Sequence, residues 1–293
     1  MKKLAILFLA AFIQLSAFAQ KVTSYPHFVV EIRGNGTPVL LIPGLSCSGE
    51  VWKETADKLQ ENFECHIFTL AGFAGLPPFQ DESGFLPVVK GALIKYIKEE
   101  LNEKPIVIGH SLGGFLTMSI AVDHDELVEK IIIIDAYPFL SAVYNPAATE
   151  ENVLPQASLM KQTLLQTPDS LFKQQQAIAL GAMITSETMI KKALMWSMAS
   201  DRETTAQAMF ELMTTDLREK IAVVKTPVLV LGSWIGGRDF GITKEVTTTQ
   251  FKSQYARVQN VTVKVAETAK HFIMWDDFKW FIDETKAFLN ENR

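Results

Sequence analysis

A serine between two glycines is the first residue of this sequence that could perform chemistry. Ser111 stands in the centre of residues 109–113, Gly-His-Ser-Leu-Gly. The apolar run at residues 106–108 predicts a strand before it, and apolar residues at helical spacing predict a helix after it. A serine at so sharp a strand-to-helix turn has a strained backbone and an exposed hydroxyl at the positive end of the helix. Ser111 is therefore our candidate nucleophile for attack on a carbonyl carbon.

A nucleophilic serine needs a base, and histidine is the usual one. Of the five histidines, only His271 follows the last predicted strand, residues 261–265. A loop at that point reaches the carboxyl edge of a parallel sheet, where the predicted nucleophile also lies. We therefore expect His271 to be the general base that takes the proton of Ser111.

A carboxylate must fix the tautomer of such a histidine and stabilise its imidazolium form. Asp135 ends the predicted strand 130–135, and Asp239 lies in the loop after the predicted strand 228–231. Both give the chain order serine, acid, histidine. The sequence favours Asp239 as the acid and leaves Asp135 as the alternative. A loop aspartate paired with Arg238 is the structural alternative for Asp239.

Attack on a carbonyl also requires two backbone N–H groups that stabilise the oxyanion. Leu112 directly follows the nucleophile and offers one N–H at the start of the predicted helix. Leu45 follows the predicted strand 39–42 and would bring the second N–H to the same edge of the sheet. We predict these two amides as the oxyanion hole.

The N-terminus has the pattern of a secretory signal peptide. Two lysines precede an apolar run at residues 4–13, and Ala17-Phe18-Ala19 forms a small-x-small cleavage pattern before Gln20. The alternative is an apolar helix in the core. Residues 1–19 are too short for a comfortable membrane span, so we predict a periplasmic or secreted protein whose mature chain begins near Gln20.

The charge of the chain excludes some partners. The formal net charge is −5, and it becomes −7 when residues 1–19 are removed, because that segment carries two lysines and no acid. The sequence contains no basic run. This argues against nucleic acid or an anionic membrane surface as the partner, and a small-molecule substrate is expected instead.

The predicted fold class is α/β with an inserted helical cap. Strand and helix patterns alternate in residues 20–136 and 221–293, which predicts a parallel sheet covered by helices on both faces. Residues 137–220 show no strand pattern and predict helices at 150–165, 171–183 and 189–213. Cys47 and Cys65 are the only cysteines, and their places at opposite ends of predicted strands favour two free thiols.

With these motifs the sequence resembles the α/β-hydrolase superfamily, in its branch of lid-bearing esterases, lipases and C–C hydrolases. The resemblance covers nearly all of the mature chain. It depends on the turn at residues 109–113, on Pro43-Gly44, on the glycine-rich turn at residues 70–75 and on His271-Phe272 before a helix. It implies an eight-stranded, mostly parallel sheet, a cap over the site, and hydrolysis through an acyl-enzyme without metal or organic cofactor.

The sequence departs from the usual pattern of that superfamily at three places. Pro43 replaces the usual histidine, Ala71 replaces the usual aspartate, and the loop that carries Asp239 is longer than usual. The first two changes affect the support of the oxyanion loop. The third leaves the identity of the acid open.

The cap predicts an apolar part of the substrate. Seven of the ten methionines lie there: Met160, Met183, Met189, Met195, Met198, Met209 and Met213. Flexible thioethers suit an adaptable apolar pocket, although helix packing against the sheet explains any one of them equally well. We predict Trp196 and Met198 as substrate-binding residues.

These observations predict an exported serine hydrolase that cleaves carboxylic esters through a Ser-His-Asp triad. Cleavage of a lactone, an amide or a C–C bond on the same scaffold is the first alternative. A ligand-binding protein with vestigial chemistry is the second, and the presence of both Ser111 and His271 argues against it. The sequence leaves the particular substrate and the oligomeric state open.

Overall fold

The structure, a computed structural model, describes residues 21–78, 81 and 83–290. The predicted signal segment at residues 1–19 lies outside these residues. One eight-stranded sheet organises the described chain. Its strands are β1 (Lys21–Tyr25), β2 (Phe28–Gly34), β3 (Thr37–Ile42), β4 (Phe63–Leu70), β5 (Ile106–His110), β6 (Lys130–Ile134), β7 (Val228–Gly232) and β8 (Val261–Val265).

The order of the strands in the sheet is β1-β2-β4-β3-β5-β6-β7-β8. Strand β2 is antiparallel to both β1 and β4, whereas every pair from β4 to β8 is parallel. The parallel strands therefore end at one edge, and the loops that follow them meet there. This arrangement confirms the predicted mostly parallel, eight-stranded sheet.

Helices follow the strands as the sequence patterns indicate. They are α1 (Lys53–Leu59), α2 (Phe85–Glu100), α3 (Leu112–His124), α4 (Glu150–Gln166), α5 (Asp169–Met183), α6 (Glu187–Ala199), α7 (Arg202–Thr214), α8 (Lys244–Gln254), α9 (Ile273–Asp276) and α10 (Phe278–Asn290). Among the described residues, none of these helices combines the length and apolar character needed to cross a membrane.

Alternate residues of the central strands face two separate apolar cores, because successive side chains of a strand point to opposite faces. Leu40 and Val107 pack into the core formed with α2, α3 and α8. Leu41 and Ile108 pack into the core formed with α1 and α10. The sheet is thus buried on both faces, which explains why its central strands are continuous apolar runs.

Helices α4 to α7, residues 150–214, lie between β6 and β7, and we call them the helical insertion. The single helix predicted over residues 189–213 is wrong, because the chain breaks between α6 and α7. Asp201 caps α7 by accepting a hydrogen bond from the Thr204 N–H at 2.7 Å. The Asp201 N–H donates to the Gly72 carbonyl at 2.7 Å, which ties this break to the loop after β4.

The turn between β5 and α3 is formed by a very close approach of backbone segments. A Cβ atom on Gly113 would lie 2.2 Å from the Ile42 carbonyl oxygen, and one on Gly109 would lie 2.3 Å from the Gly113 carbonyl oxygen. Thr117 supports the turn by donating its hydroxyl to the Gly113 carbonyl at 2.7 Å. Only glycine therefore fits at either position.

Both cysteines are free thiols, as the sequence predicts. Cys47 and Cys65 are buried, and burial raises the pKa of each thiol to about 12. They are protonated at neutral pH and behave as small apolar side chains.

The different surroundings of Gly113 and Gly91 give a prediction on stability. Gly113→Ala should lower the free energy of unfolding by about 1–3 kcal/mol, because the new methyl group meets a backbone carbonyl that has no space to move. Gly91 on α2 is the matched control, since a Cβ there meets no atom within 4 Å. Gly91→Ala should raise stability by about 0.5–1 kcal/mol through helix propensity. Urea unfolding followed by circular dichroism measures both, and equal stabilities of the two variants would contradict the prediction.

Candidate active site

Ser111 occupies the strained position that its sequence context predicts. Its φ is 52° and its ψ is −119°, and α3 begins at the next residue. The Ser111 N–H donates to the Ile134 carbonyl at 2.9 Å, and its carbonyl accepts from the Phe115 N–H at 3.0 Å. The neighbouring strand and the first turn of the helix thus hold a backbone conformation that costs energy in isolation.

His271 lies in the loop between β8 and α9, and its ring is paired with a carboxylate. Its Nδ1 donates to Oδ2 of Asp135 at 2.7 Å. The side chain of Asp135 is 11% exposed and that of His271 is 24% exposed. This hydrogen bond fixes the tautomer of the ring and leaves Nε2 as its basic nitrogen.

Asp135 follows β6 and has a left-handed backbone, with φ 47°. Its carboxylate accepts two further hydrogen bonds from Ser233 at the end of β7, one from the N–H and one from the hydroxyl, both 2.7 Å long. The Asp135 N–H donates to the Leu231 carbonyl at 2.8 Å. These contacts hold the carboxylate in one orientation towards His271.

Asp239 is not the partner of His271, so the acid favoured by the sequence is wrong. Asp239 lies in the turn Ile235–Phe240, where its side chain is 83% exposed and pairs with Arg238 at 3.3 Å. Asp135 reaches the histidine because β6 lies directly beside β5, which carries Ser111. The loop after β7 instead turns outward into solvent. The contact that distinguishes Asp135 from Asp239 joins two segments 136 residues apart in the chain.

A second histidine lies against the first. His110 is fully buried, its ring centre is 4.6 Å from that of His271, and its Nε2 donates to the His271 carbonyl at 3.1 Å. Burial, together with the neighbouring His271, lowers the pKa of His110 well below its usual range. His110 is therefore neutral and adds no positive charge beside the base.

The two residues predicted to supply oxyanion donors both lie close to Ser111. Leu112 is the first residue of α3, and Leu45 lies in the loop after β3. A Cβ atom on Gly44 would be 3.2 Å from Cβ of Ser111, so this loop approaches the serine closely. Within the described chain, neither the Leu45 nor the Leu112 N–H donates a hydrogen bond to another residue.

A cavity of 340 Å³ opens onto Ser111, Asp135 and His271. Its wall is mostly apolar: Leu45, Phe115, Ala136, Leu140, Val143, Met160, Met183, Met209, Leu212 and Met213, with Tyr137, Ser141 and Tyr144. Among the described residues that line it there is no lysine or arginine. Four of the methionines singled out in the sequence thus belong to the wall.

Trp196 and Met198 are not among the described residues that line this cavity, so the structure does not bring them to the site with Ser111 and His271. Trp196 is buried in the second core, where its ring centre is 5.8 Å from that of Trp275. The methionines of α4, α5 and α7 line the cavity, whereas Met189, Met195 and Met198 of α6 are not among the described residues that line it. Periodicity could not show which of these helices faces the cavity.

A strained serine and a histidine–aspartate pair at one cavity, on the carboxyl edge of a parallel sheet, are the arrangement of a hydrolytic enzyme. The sequence profile of the alpha/beta hydrolase family matches residues 39–284. The chain belongs to this family.

Known relatives agree with this class. The chain is 24% identical over 269 residues to a pimeloyl-[acyl-carrier protein] methyl ester esterase of Aliivibrio fischeri (strain MJ11). The aligned region covers 89% of this chain and 97% of that protein. An esterase from Exiguobacterium antarcticum has a similar structure, with a TM-score of 0.74 at 16% identity over 90% of this chain and 96% of that one. The enol-lactonase from Burkholderia xenovorans LB400 gives a TM-score of 0.71 at 15% identity over 90% and 97%. The family and its esterase members support a hydrolase.

The pairing of His271 gives a prediction on the acid. Asp135→Asn should lower kcat/KM on a 4-nitrophenyl ester by about 10²-fold or more, because an amide favours the wrong tautomer of the histidine. Asp239→Asn is the matched control and should change kcat/KM by less than about twofold, since it removes only an exposed ion pair. Circular dichroism checks that both variants fold. A small loss at Asp135 beside a large one at Asp239 would contradict the pairing.

Proposed function

We propose that this protein is a serine hydrolase that cleaves carboxylic esters, with Ser111 as nucleophile, His271 as base and Asp135 as acid. The observation that carries the proposal is the hydrogen bond of 2.7 Å from His271 to Asp135, at the cavity that Ser111 also lines. An oriented histidine next to a strained serine is the combination that activates a hydroxyl for attack on a carbonyl.

In the first half of the reaction, the Ser111 hydroxyl oxygen attacks the ester carbonyl carbon and Nε2 of His271 takes its proton. The carbonyl oxygen becomes an oxyanion that the N–H groups of Leu45 and Leu112 stabilise. The imidazolium then gives its proton to the alcohol oxygen as the C–O bond breaks. The acyl group stays bound to the serine oxygen, and Asp135 stabilises the charged ring throughout.

In the second half, water replaces the alcohol. His271 takes a proton from the water molecule while the water oxygen attacks the acyl carbon. A second oxyanion forms beside the N–H groups of Leu45 and Leu112. The imidazolium returns the proton to the Ser111 oxygen as the acyl bond breaks, which releases the carboxylic acid. The residues end in their starting protonation states, so no cofactor enters the balance of the reaction.

The wall of the cavity favours an uncharged substrate with an apolar part. Among the described residues that line the cavity, Asp135 is the one acidic residue. None of these residues is a lysine or arginine that could balance the charge of an anionic ligand. Burying an unpaired carboxylate of a substrate there is costly. We therefore infer that the enzyme prefers small neutral esters to half-esters that carry a free carboxylate.

We also propose that the protein is exported, on the strength of the lysines and the apolar run before Gln20. N-terminal sequencing of the natively expressed protein should find a mature chain that begins near Gln20 in the periplasmic or secreted fraction. A chain that starts at Met1 in the cytoplasmic fraction would overturn this proposal and leave the enzymatic one intact.

Covalent labelling tests the reaction class. A serine-directed phosphonate should add one label per chain on Ser111, because its phosphorus centre mimics the attacked carbonyl carbon. Ser111→Ala should abolish the label, and intact-mass spectrometry followed by peptide mapping reads both results. Labelling that survives the substitution would show that another residue is the nucleophile. The absence of a label on the unaltered protein would favour a binding protein.

The cavity wall gives a prediction on specificity. Met209→Ala should raise the ratio of kcat/KM for a long-chain ester to that for an acetate ester by about tenfold, because it lengthens an apolar pocket by several methylene equivalents. Leu159→Ala is the matched control, since Leu159 is 64% exposed on α4 and should leave the ratio unchanged. Trp196→Ala should instead lower the free energy of unfolding by about 3–5 kcal/mol as a buried side chain. Equal ratios for Met209→Ala and Leu159→Ala would contradict the assignment of the wall.

A further inference from the structure

The loop that carries His271 is attached to the end of α5 in the helical insertion. Lys270, the residue before the base, donates its ammonium Nζ to the Gly181 carbonyl at 2.6 Å and to the Ile184 carbonyl at 3.2 Å. The last carbonyls of a helix have no partner within the helix, and a cation near them interacts favourably with the helix dipole. Lys270 therefore caps α5 while its own backbone leads directly into His271.

The other side of the base is attached to the same turn. The Phe272 N–H donates to the Met183 carbonyl at 3.3 Å. Asp276 accepts hydrogen bonds from the Thr185 N–H at 3.0 Å and from the Thr185 hydroxyl at 2.9 Å. Asp276 also accepts from the Lys270 N–H at 3.0 Å, which closes the loop on itself. Residues on both sides of His271 are thus bonded to residues 181–185.

The sheet holds this loop less directly. Strand β8 ends at Val265, five residues before Lys270. The sheet and the core bond to this loop at three places: His271 donates to Asp135 at 2.7 Å, His110 donates to the His271 carbonyl at 3.1 Å, and Trp275 donates its indole N–H to the Val51 carbonyl at 3.1 Å. Residues 181–185 take part in a larger number of hydrogen bonds with the loop, and two of these have the charged Lys270 ammonium as donor, which makes them stronger than neutral bonds.

We propose that residues 181–185 of the helical insertion determine the position of the catalytic base, and that Lys270 is the positioning residue through which they act. This inference depends on the proposed role of His271 as the base. Met183 lies in this turn and also lines the cavity. The part of the insertion that contacts the apolar part of the substrate is therefore the part that holds the base, so the insertion must be docked at α5 when the reaction occurs.

Four variants test this inference. Lys270→Met removes the ammonium and keeps most of the aliphatic chain, and Lys270→Arg keeps a cation. Thr185→Val removes the hydroxyl bond to Asp276 at an exposed position. Lys279→Met is the matched control, because this lysine is 88% exposed on α10 and pairs only with Asp283 among the described groups. For each variant we would measure kcat and KM on a 4-nitrophenyl ester, the second-order rate of phosphonate labelling at Ser111, and the melting temperature.

A misplaced base slows attack without weakening substrate binding. Lys270→Met should lower kcat and the labelling rate by about tenfold, with KM changed by less than about twofold. Lys270→Arg should restore both rates to within about threefold of the unaltered protein, Thr185→Val should lower them by about twofold, and Lys279→Met should leave them unchanged.

Two results would overturn the inference while the proposed function stands. The first is labelling of Ser111 and turnover in Lys270→Met equal to those of Lys279→Met. The second is a parallel loss in kcat and melting temperature that Lys270→Arg does not restore, which would show a role in stability alone. A failure of the unaltered protein to label at Ser111 would overturn the proposed function, and this inference with it.

Discussion

The carbonyl oxygen of Ile42 leaves no space for a side chain where α3 begins. This contact brings the first turn of α3 against the end of β3, and it therefore sets the distance between the nucleophile and the loop that follows β3. Leu45 and Ser111 both line the cavity as a result, and the positive φ of Ser111 is the backbone conformation that lets the chain turn within so little space. The sharp turn at Ser111 and its distance from the loop after β3 both depend on this one close approach.

The order of the strands explains how the remaining groups meet. Ser111 follows β5 and Asp135 follows β6, whereas His271 comes from beyond β8 and must cross the end of β7. Ser233 lies at that crossing and donates two hydrogen bonds to Asp135, so the intervening strand supports the acid instead of supplying it. A loop that extends so far from its own strand needs further contacts to hold it. This explains why residues of the loop bond to the helical insertion and to His110.

The sequence predicted those parts of the structure that depend on local pattern. Ser111 and the surrounding strand and helix were found because glycine spacing and apolar periodicity reflect close packing directly. His271 was found because the last strand fixes the edge at which its loop emerges. Strand β1 was missed, since Lys21–Tyr25 is a short and partly exposed edge strand that has little apolar pattern.

The acid and the wall of the cavity could not be predicted in this way, because both depend on distances between segments far apart in the chain. Asp135 and Asp239 each follow a strand that ends at the same edge, and only the outward turn at Ile235–Phe240 separates them. At the break in the predicted helix at residues 189–213, Asp201 caps α7 locally and its N–H donates to the Gly72 carbonyl, a contact with a distant segment.

The left-handed backbone at Asp135 has a consequence for the modularity of the enzyme. The chain turns there from the sheet into the segment of residues 136–144, which supplies six residues of the cavity wall before the first long helix begins. The acid and the near wall therefore belong to one continuous stretch, while the far wall comes from α4, α5 and α7. An exchange of residues 149–215 between family members would replace the far wall together with residues 181–185, which bond to the loop of His271, and would leave Asp135 in place. An exchange that began at residue 136 would replace the wall adjoining the reactive atoms as well.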